Sequence, residues 1–130
     1  LSRPINVLST NSAWMMSSLV MGAKGLLSGA GSVIADLQVE LFQAVQAQNL
    51  TRAQEVSERM WHATNAFYSD PFGDMHNRMK EALVHLGRQD KAIVRPPLVK
   101  LTDAEIFRIG EAVVAAGLPA AAEATRAAAE

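Results

Sequence analysis

Cysteine is absent from the sequence, which excludes disulfides, thiolate nucleophiles and cysteine-held metals and fits a cytoplasmic location. Neither sign of charge dominates. Twelve Lys and Arg stand against 13 Asp and Glu, for a formal net charge of -1, so nothing marks the chain for nucleic acid or an anionic membrane. No apolar run reaches the length of a membrane span, and the N-terminus lacks the charged-then-apolar plan of a signal peptide. Histidine is scarce. His62, His76 and His85 are the only ones, none four residues from another or beside a carboxylate pair at metal-ligand spacing, so no metal is expected. What the chain does have is 130 residues, 49% of them hydrophobic, enough to give one soluble globular unit a core.

The stretch Gly22-Ala23-Lys24-Gly25-Leu26-Leu27-Ser28-Gly29-Ala30-Gly31-Ser32 organises the rest. Its apolar run is too short for a helix, is flanked by glycines and opens into a helical pattern from Val33. That reads as a buried strand, Leu26 to Gly29, then a tight turn and a helix. Glycines permit positive φ and close backbone approach, so such a loop at a strand's carboxyl end can wrap a small ligand, or serve as plain turn chemistry. Upstream, Ile5-Asn6-Val7-Leu8-Ser9 is a second strand candidate. Thr10-Asn11-Ser12 supplies turn and N-cap types before a helix from Ala13 to Met21. Strand, helix and strand make a βαβ unit whose strands should be adjacent and parallel. An isolated parallel pair cannot bury both faces, so six further strands are expected upstream. The chain begins without methionine, and Leu1-Ser2-Arg3-Pro4 reads as a connection; it is expected to be the C-terminal part of a longer protein.

From Val33 onward the pattern is helical apart from turns. Val33, Ile34, Leu37, Leu41, Phe42 and Val45 share a face until Asn49-Leu50 breaks it. Thr51 with Gln54 forms a capping box before the stripe Ala53, Val56, Met60, Ala63 and Phe67. Ser69-Asp70-Pro71-Phe72-Gly73 is a turn. Asp74 is placed to cap a helix carrying Met75, Met79, Ala82, Leu83 and Leu86, which Gly87 ends. Ile93-Val94-Arg95-Pro96-Pro97-Leu98 is expected to be extended. Thr102 with Glu105 caps a last helix with Ile106, Ile109, Val113 and Leu118 buried. The alanine-rich tail after Pro119 has little to bury and is expected to fray. Two polar features look bland. Asp74-Met75-His76-Asn77-Arg78 reads as a helix N-terminus with an Asp cap and basic residues facing solvent or a neighbouring subunit. Lys24, at the amino end of its strand, is assigned to solvent, away from the face where barrel active sites lie.

Taken together, the strand, the helix, the GAKGLLSGAGSV strand and the helices joined through Arg95-Pro96-Pro97-Leu98 resemble the C-terminal part of the dihydrodipicolinate synthase and N-acetylneuraminate lyase family. The likeness runs from about Ile5 to Leu118. It implies an α/β fold, the last two βα units of a (β/α)8 TIM barrel over residues 1-48, with a helical C-terminal extension over 49-118 and an Ala-rich tail over 119-130. It also implies a Schiff-base lyase, an aldolase or dehydratase, acting on pyruvate or another 2-keto acid without a cofactor. The catalytic lysine, on the sixth strand, and the proton-relaying residues would lie upstream, so no catalytic residue is expected in this chain. The rim would come from Ser9, Thr10 and Asn11 after the seventh strand and from Leu27, Ser28 and Gly29 at the end of the eighth. Leu27 matches the position whose backbone carbonyl lies beside the keto acid. A homo-oligomer, dimer or tetramer, is the expected assembly. Two departures stand out: Thr10-Asn11 replaces a common Gly-Asp pair, and Met75-His76-Asn77-Arg78-Met79-Lys80 replaces the Asn-Pro-Ile-Pro-Val-Lys of lysine-biosynthetic members. The alternative is a non-catalytic helical module that docks a partner, for which a buried parallel βαβ unit would have no use.

Overall fold

A computed structural model describes residues 3-120; the fraying expected of the tail lies outside them beyond Ala120. Two compact units divide the chain, Leu1–Trp61 and His62–Glu130, each with its own buried apolar set.

In the first unit, β1 (Leu8–Ser9) and β2 (Gly25–Leu26) pair in parallel, Leu8 opposite Gly25 and Ser9 opposite Leu26. The parallel arrangement is the one expected; the strands are shorter. Beyond the ladder, Lys24 N donates to the Val7 carbonyl at 2.8 Å and Leu27 N to the Ser9 carbonyl at 2.8 Å. The predicted strand from Ile5 is therefore cut back to its paired end, because Ile5 and Val7 are exposed and have too little to pair with. Ser28 and Gly29 leave the strand for a turn, their carbonyls taken by Gly31 N and Ser32 N. Among the glycines of this stretch Gly22 alone has positive φ, +103°. Gly25 serves a different need: a Cβ there would lie 3.0 Å from Leu8 Cδ2, so the opposite side chain occupies the space.

The crossover begins with a 3-10 turn, Ser12–Trp14, and continues as α1 (Met15–Val20), which buries Met15 and Leu19. Asn11 caps the turn, its side chain accepting from Ala13 N at 3.0 Å. Next comes α2 (Gly31–Gln46), with non-helical angles at Ile34 marking a kink. Its buried side, Val33, Ile34, Leu37, Gln38, Leu41 and Ala44, follows the predicted face with Gln38 and Ala44 added and Phe42 and Val45 at its margin. On α3 (Leu50–Phe67) the stripe Ala53, Val56, Met60, Ala63 and Phe67 is buried as expected. The cap is not Thr51 with Gln54. Asn49 holds that place, its Oδ1 accepting from Arg52 N at 3.0 Å, because the helix starts two residues earlier than the Thr-x-x-Gln spacing suggests. Arg52 bridges Glu40 and Glu55 on the surface, and the hydrogen bonds it donates to Glu55 and then to Glu40 raise its pKa.

In the second unit, a 3-10 turn at Phe72–Asp74 leads into α4 (Met75–His85), which Gly87 ends at φ +66°. Asp74 occupies the N-cap position yet makes no side-chain cap bond. The segment around Pro96-Pro97 is a turn rather than extended chain: Leu98 N bonds the Arg95 carbonyl at 3.1 Å and the Pro96-Pro97 peptide is cis. The capping box of Thr102 and Glu105 opens α5 (Asp103–Ala115). Burying Ile109 and Val113 against α4 removes two large aliphatic side chains from water, about 1.5 to 3 kcal/mol each. Among the described residues no helix is long and apolar enough to cross a membrane.

Candidate active-site rim

Parallel pairing has a direct consequence for chemistry, since both strands end on the same side and their following loops meet. The six residues named from the sequence are brought together there. Ser9 is buried, and its carbonyl holds Leu27 N. Thr10 and Asn11 are exposed, with the Asn11 amide oxygen committed to Ala13 N. Leu27 is 65% exposed, and its carbonyl accepts no hydrogen bond among the described residues. An exposed, uncommitted carbonyl beside two turns is suited to accept a hydrogen bond from a small polar ligand. Gly29 carries no side chain to obstruct it, and its carbonyl is engaged by Ser32 N and, at 2.9 Å, by Ser32 Oγ.

One participant escaped the sequence reading. Ser12, only 5% exposed, stands 2.6 Å from Ser28 Oγ through its own Oγ. This hydroxyl pair ties the turn after β1 to the turn after β2, and either oxygen can donate. The pair can therefore reverse its direction when a ligand demands a donor or an acceptor. Its signal in the sequence was a serine within the Thr10-Asn11-Ser12 turn and N-cap cluster, a place where serine has many ordinary uses.

A second unforeseen group lies in the other unit. Arg78, expected to face solvent or a neighbouring subunit, is 2% exposed and turned into its own unit. Its Nη1 donates to the carbonyls of Phe67, Ser69 and Pro71 at 3.3, 2.6 and 3.2 Å, and its Nη2 to that of Asp70 at 3.1 Å. Glu105 Oε1 is 3.6 Å from Nη2. The guanidinium thus satisfies the carbonyls left over at the end of α3 and in the turn that follows. Beside it, Asn77 is fully buried and donates to the Val99 carbonyl at 2.7 Å. Asn77 and Arg78, at the end of the polar Asp74 to Arg78 stretch, therefore form an internal clamp, while His76 is exposed. Lys24 is exposed, as assigned.

A family model described as the dihydrodipicolinate synthetase family matches residues 2–116. The chain belongs to this family. Solved structures agree on the fold. Dihydrodipicolinate synthase from Bacteroides thetaiotaomicron is similar with a TM-score of 0.73 and 22% identity, over 84% of this chain and 37% of that one. The Aquifex aeolicus dihydrodipicolinate synthase gives 0.75 and 23%, over 90% and 39%. YagE of E. coli K12, a prophage protein of the same family solved in complex with pyruvate, gives 0.76 and 21%, over 87% and 37%. A comparison with curated proteins finds no match. This dihydrodipicolinate synthetase-family chain spans under two fifths of the length of these three solved relatives.

Proposed function

We propose that this chain supplies the seventh and eighth βα units and the helical extension of a (β/α)8 barrel, whose full-length protein is a lyase acting on pyruvate or another 2-keto acid. The division at residues 1-48, 49-118 and 119-130 belongs to the same proposal. So do a homo-oligomeric assembly and the assignment of Ser9, Thr10, Asn11, Leu27, Ser28 and Gly29 to the substrate rim. The observation that carries the reading is the meeting of the two strand ends, with the Leu27 carbonyl uncommitted beside the Ser12 and Ser28 hydroxyls. Family membership and the pyruvate complex of YagE support it.

The surroundings of β2 are consistent with a missing neighbour. An apolar groove of about 490 Å³ lies between β2 and α2, lined by Leu26, Val39 and Phe42 among others. Gln38 at its edge buries an Nε2 that has no hydrogen-bond partner. A further strand and helix packed there would cover apolar surface and offer that donor an acceptor.

In this reading a lysine upstream condenses with the keto group, releases water and forms an imine that accepts the electron pair of the adjacent carbanion. The residues of this chain do not move that electron pair. The Leu27 carbonyl would orient the bound acid, and the hydroxyl pair would hold the two loops at fixed separation. Thr10, in place of the family's common glycine, narrows the rim and adds a hydroxyl. The test is borohydride reduction of the full-length protein with a panel of 2-keto acids, followed by intact mass. One added ligand on one lysine is expected. An unchanged mass across the panel would overturn the lyase reading in favour of a non-catalytic module that docks partners through its helices.

A further inference from the structure

We infer that a cleft in the second unit is a binding site for a short-chain carboxylate, independent of the rim and of the lyase reading. The cleft, about 250 Å³, lies between the end of α3 and the first turns of α5, with Arg78 of α4 at its base. Its size sets the first limit. Pockets for drug-sized ligands run from about 300 to 1,000 Å³, so the occupant is a molecule of a few heavy atoms.

Charge sets the second. Two guanidinium groups, Arg78 and Arg108, face a single carboxylate, Glu105. That carboxylate is divided: its Oε2 serves Thr102 N at 3.4 Å and Thr102 Oγ1 at 3.1 Å, while its Oε1 forms an ion pair with Arg78 Nη2 at 3.6 Å, longer than a hydrogen bond. Nη2 carries two hydrogens and makes one hydrogen bond, to Asp70. The second Nη2 hydrogen of an almost fully buried cation thus makes no hydrogen bond, only the long ion pair to Glu105, and a closer carboxylate can compete for it. Arg108, at the mouth, has no ion-pair partner among the described residues. His62 and Asn65, one turn apart on α3, add polar groups along one wall.

Hydrophobicity sets the third. Ile109 and Ala112 form the opposite wall on α5, which favours a ligand with a short hydrocarbon body over a compact inorganic anion. A small carboxylic acid satisfies all three limits. Its carboxylate bridges Arg108 and the second Nη2 hydrogen of Arg78, in competition with Glu105, and its carbons lie against the aliphatic wall.

Titration calorimetry of the chain with succinate tests the site, with inorganic phosphate at matched ionic strength as comparator. Succinate is expected to bind saturably at one site, and phosphate at least tenfold more weakly. Arg108→Ala should weaken succinate by about tenfold, the loss of one charge-assisted contact. Glu105→Gln is the deciding variant, because glutamine preserves the capping box while removing the like charge. It should tighten succinate several-fold. Weaker binding in Glu105→Gln, equal binding of phosphate, or an unchanged affinity in Arg108→Ala would each overturn the inference.

Discussion

Replacing Arg78 by alanine removes a cation that four backbone carbonyls and one carboxylate share. The site is 2% exposed, so water does not readily replace the lost donors. A hydrogen bond to a charged group contributes about 1.5 to 3 kcal/mol, and a buried acceptor left without a donor costs about 1 to 3 kcal/mol. These terms are not additive, and Ser69 and Asp70 lie in an exposed turn whose carbonyls can relax toward solvent. Counting one strong bond and one or two stranded carbonyls gives a loss of about 3 to 5 kcal/mol, the range for breaking a buried ion pair. Against a domain stability of about 5 to 15 kcal/mol that is a large share. A urea titration followed by far-ultraviolet circular dichroism measures it. With a slope of about 1 to 3 kcal/mol per molar, the midpoint should fall by at least 1 M. Arg78→Lys should recover a minority of the loss, since an ammonium cannot span acceptors on both sides of a planar fork. Arg108→Ala, at an exposed position, should move the midpoint little. If Arg78→Ala melts with the wild type, the clamp contributes nothing and the account of this turn is wrong.

Other perturbations have equally definite outcomes. Gly87→Ala, at φ +66°, should cost about 1 kcal/mol or more in the same titration, because alanine resists the left-handed conformation that ends α4. Thr102→Ala should cost about 0.5 to 2 kcal/mol by removing the cap of α5, and Glu105→Gln, which keeps the box but neutralises the ion-pair partner of Arg78, should lower the midpoint by less than Arg78→Ala. A Cβ at Gly110 would meet His85 Cε1 at 2.9 Å; in a double-mutant cycle Gly110→Ala should be better tolerated when His85 is also alanine. The Lys24 and Leu27 amides, bonded to the Val7 and Ser9 carbonyls, should exchange with deuterium more slowly than those of Ile5 and Asn6, and equal rates would deny the parallel pairing.

Much of the fold was legible because periodicity is a local property. The stripe from Ala53 to Phe67 steps by three and four, and its burial follows whatever covers it. The turn at Gly87 and the box at Thr102 are also read within a few residues. Strand lengths were not legible, since a strand extends only as far as its neighbour, and residues 5 to 7 have little to pair with. The Arg78 clamp was hidden for a related reason. Its acceptors are main-chain carbonyls from residues 67 to 71, and a carbonyl looks the same in every residue type. For the rim, the residue types at 9 to 11 and 27 to 29 indicated where two loops should converge. The hydroxyl contact between Ser12 and Ser28 depended on a distance that only the parallel register sets.

The seating of Leu8 over Gly25 has an evolutionary consequence. With a Cβ at position 25 only 3.0 Å from Leu8 Cδ2, the two positions draw on one shared volume. Drift at either is conditional on the other: a branched or longer residue at 25 requires the half-exposed Leu8 side chain to swing aside or position 8 to shrink. Across a sufficiently deep set of homologous sequences the pair should covary as large with small, and rarely appear as large with large. Sequences that break the rule should show a wider separation between the strands, and with it a rim whose two loops no longer hold the same spacing.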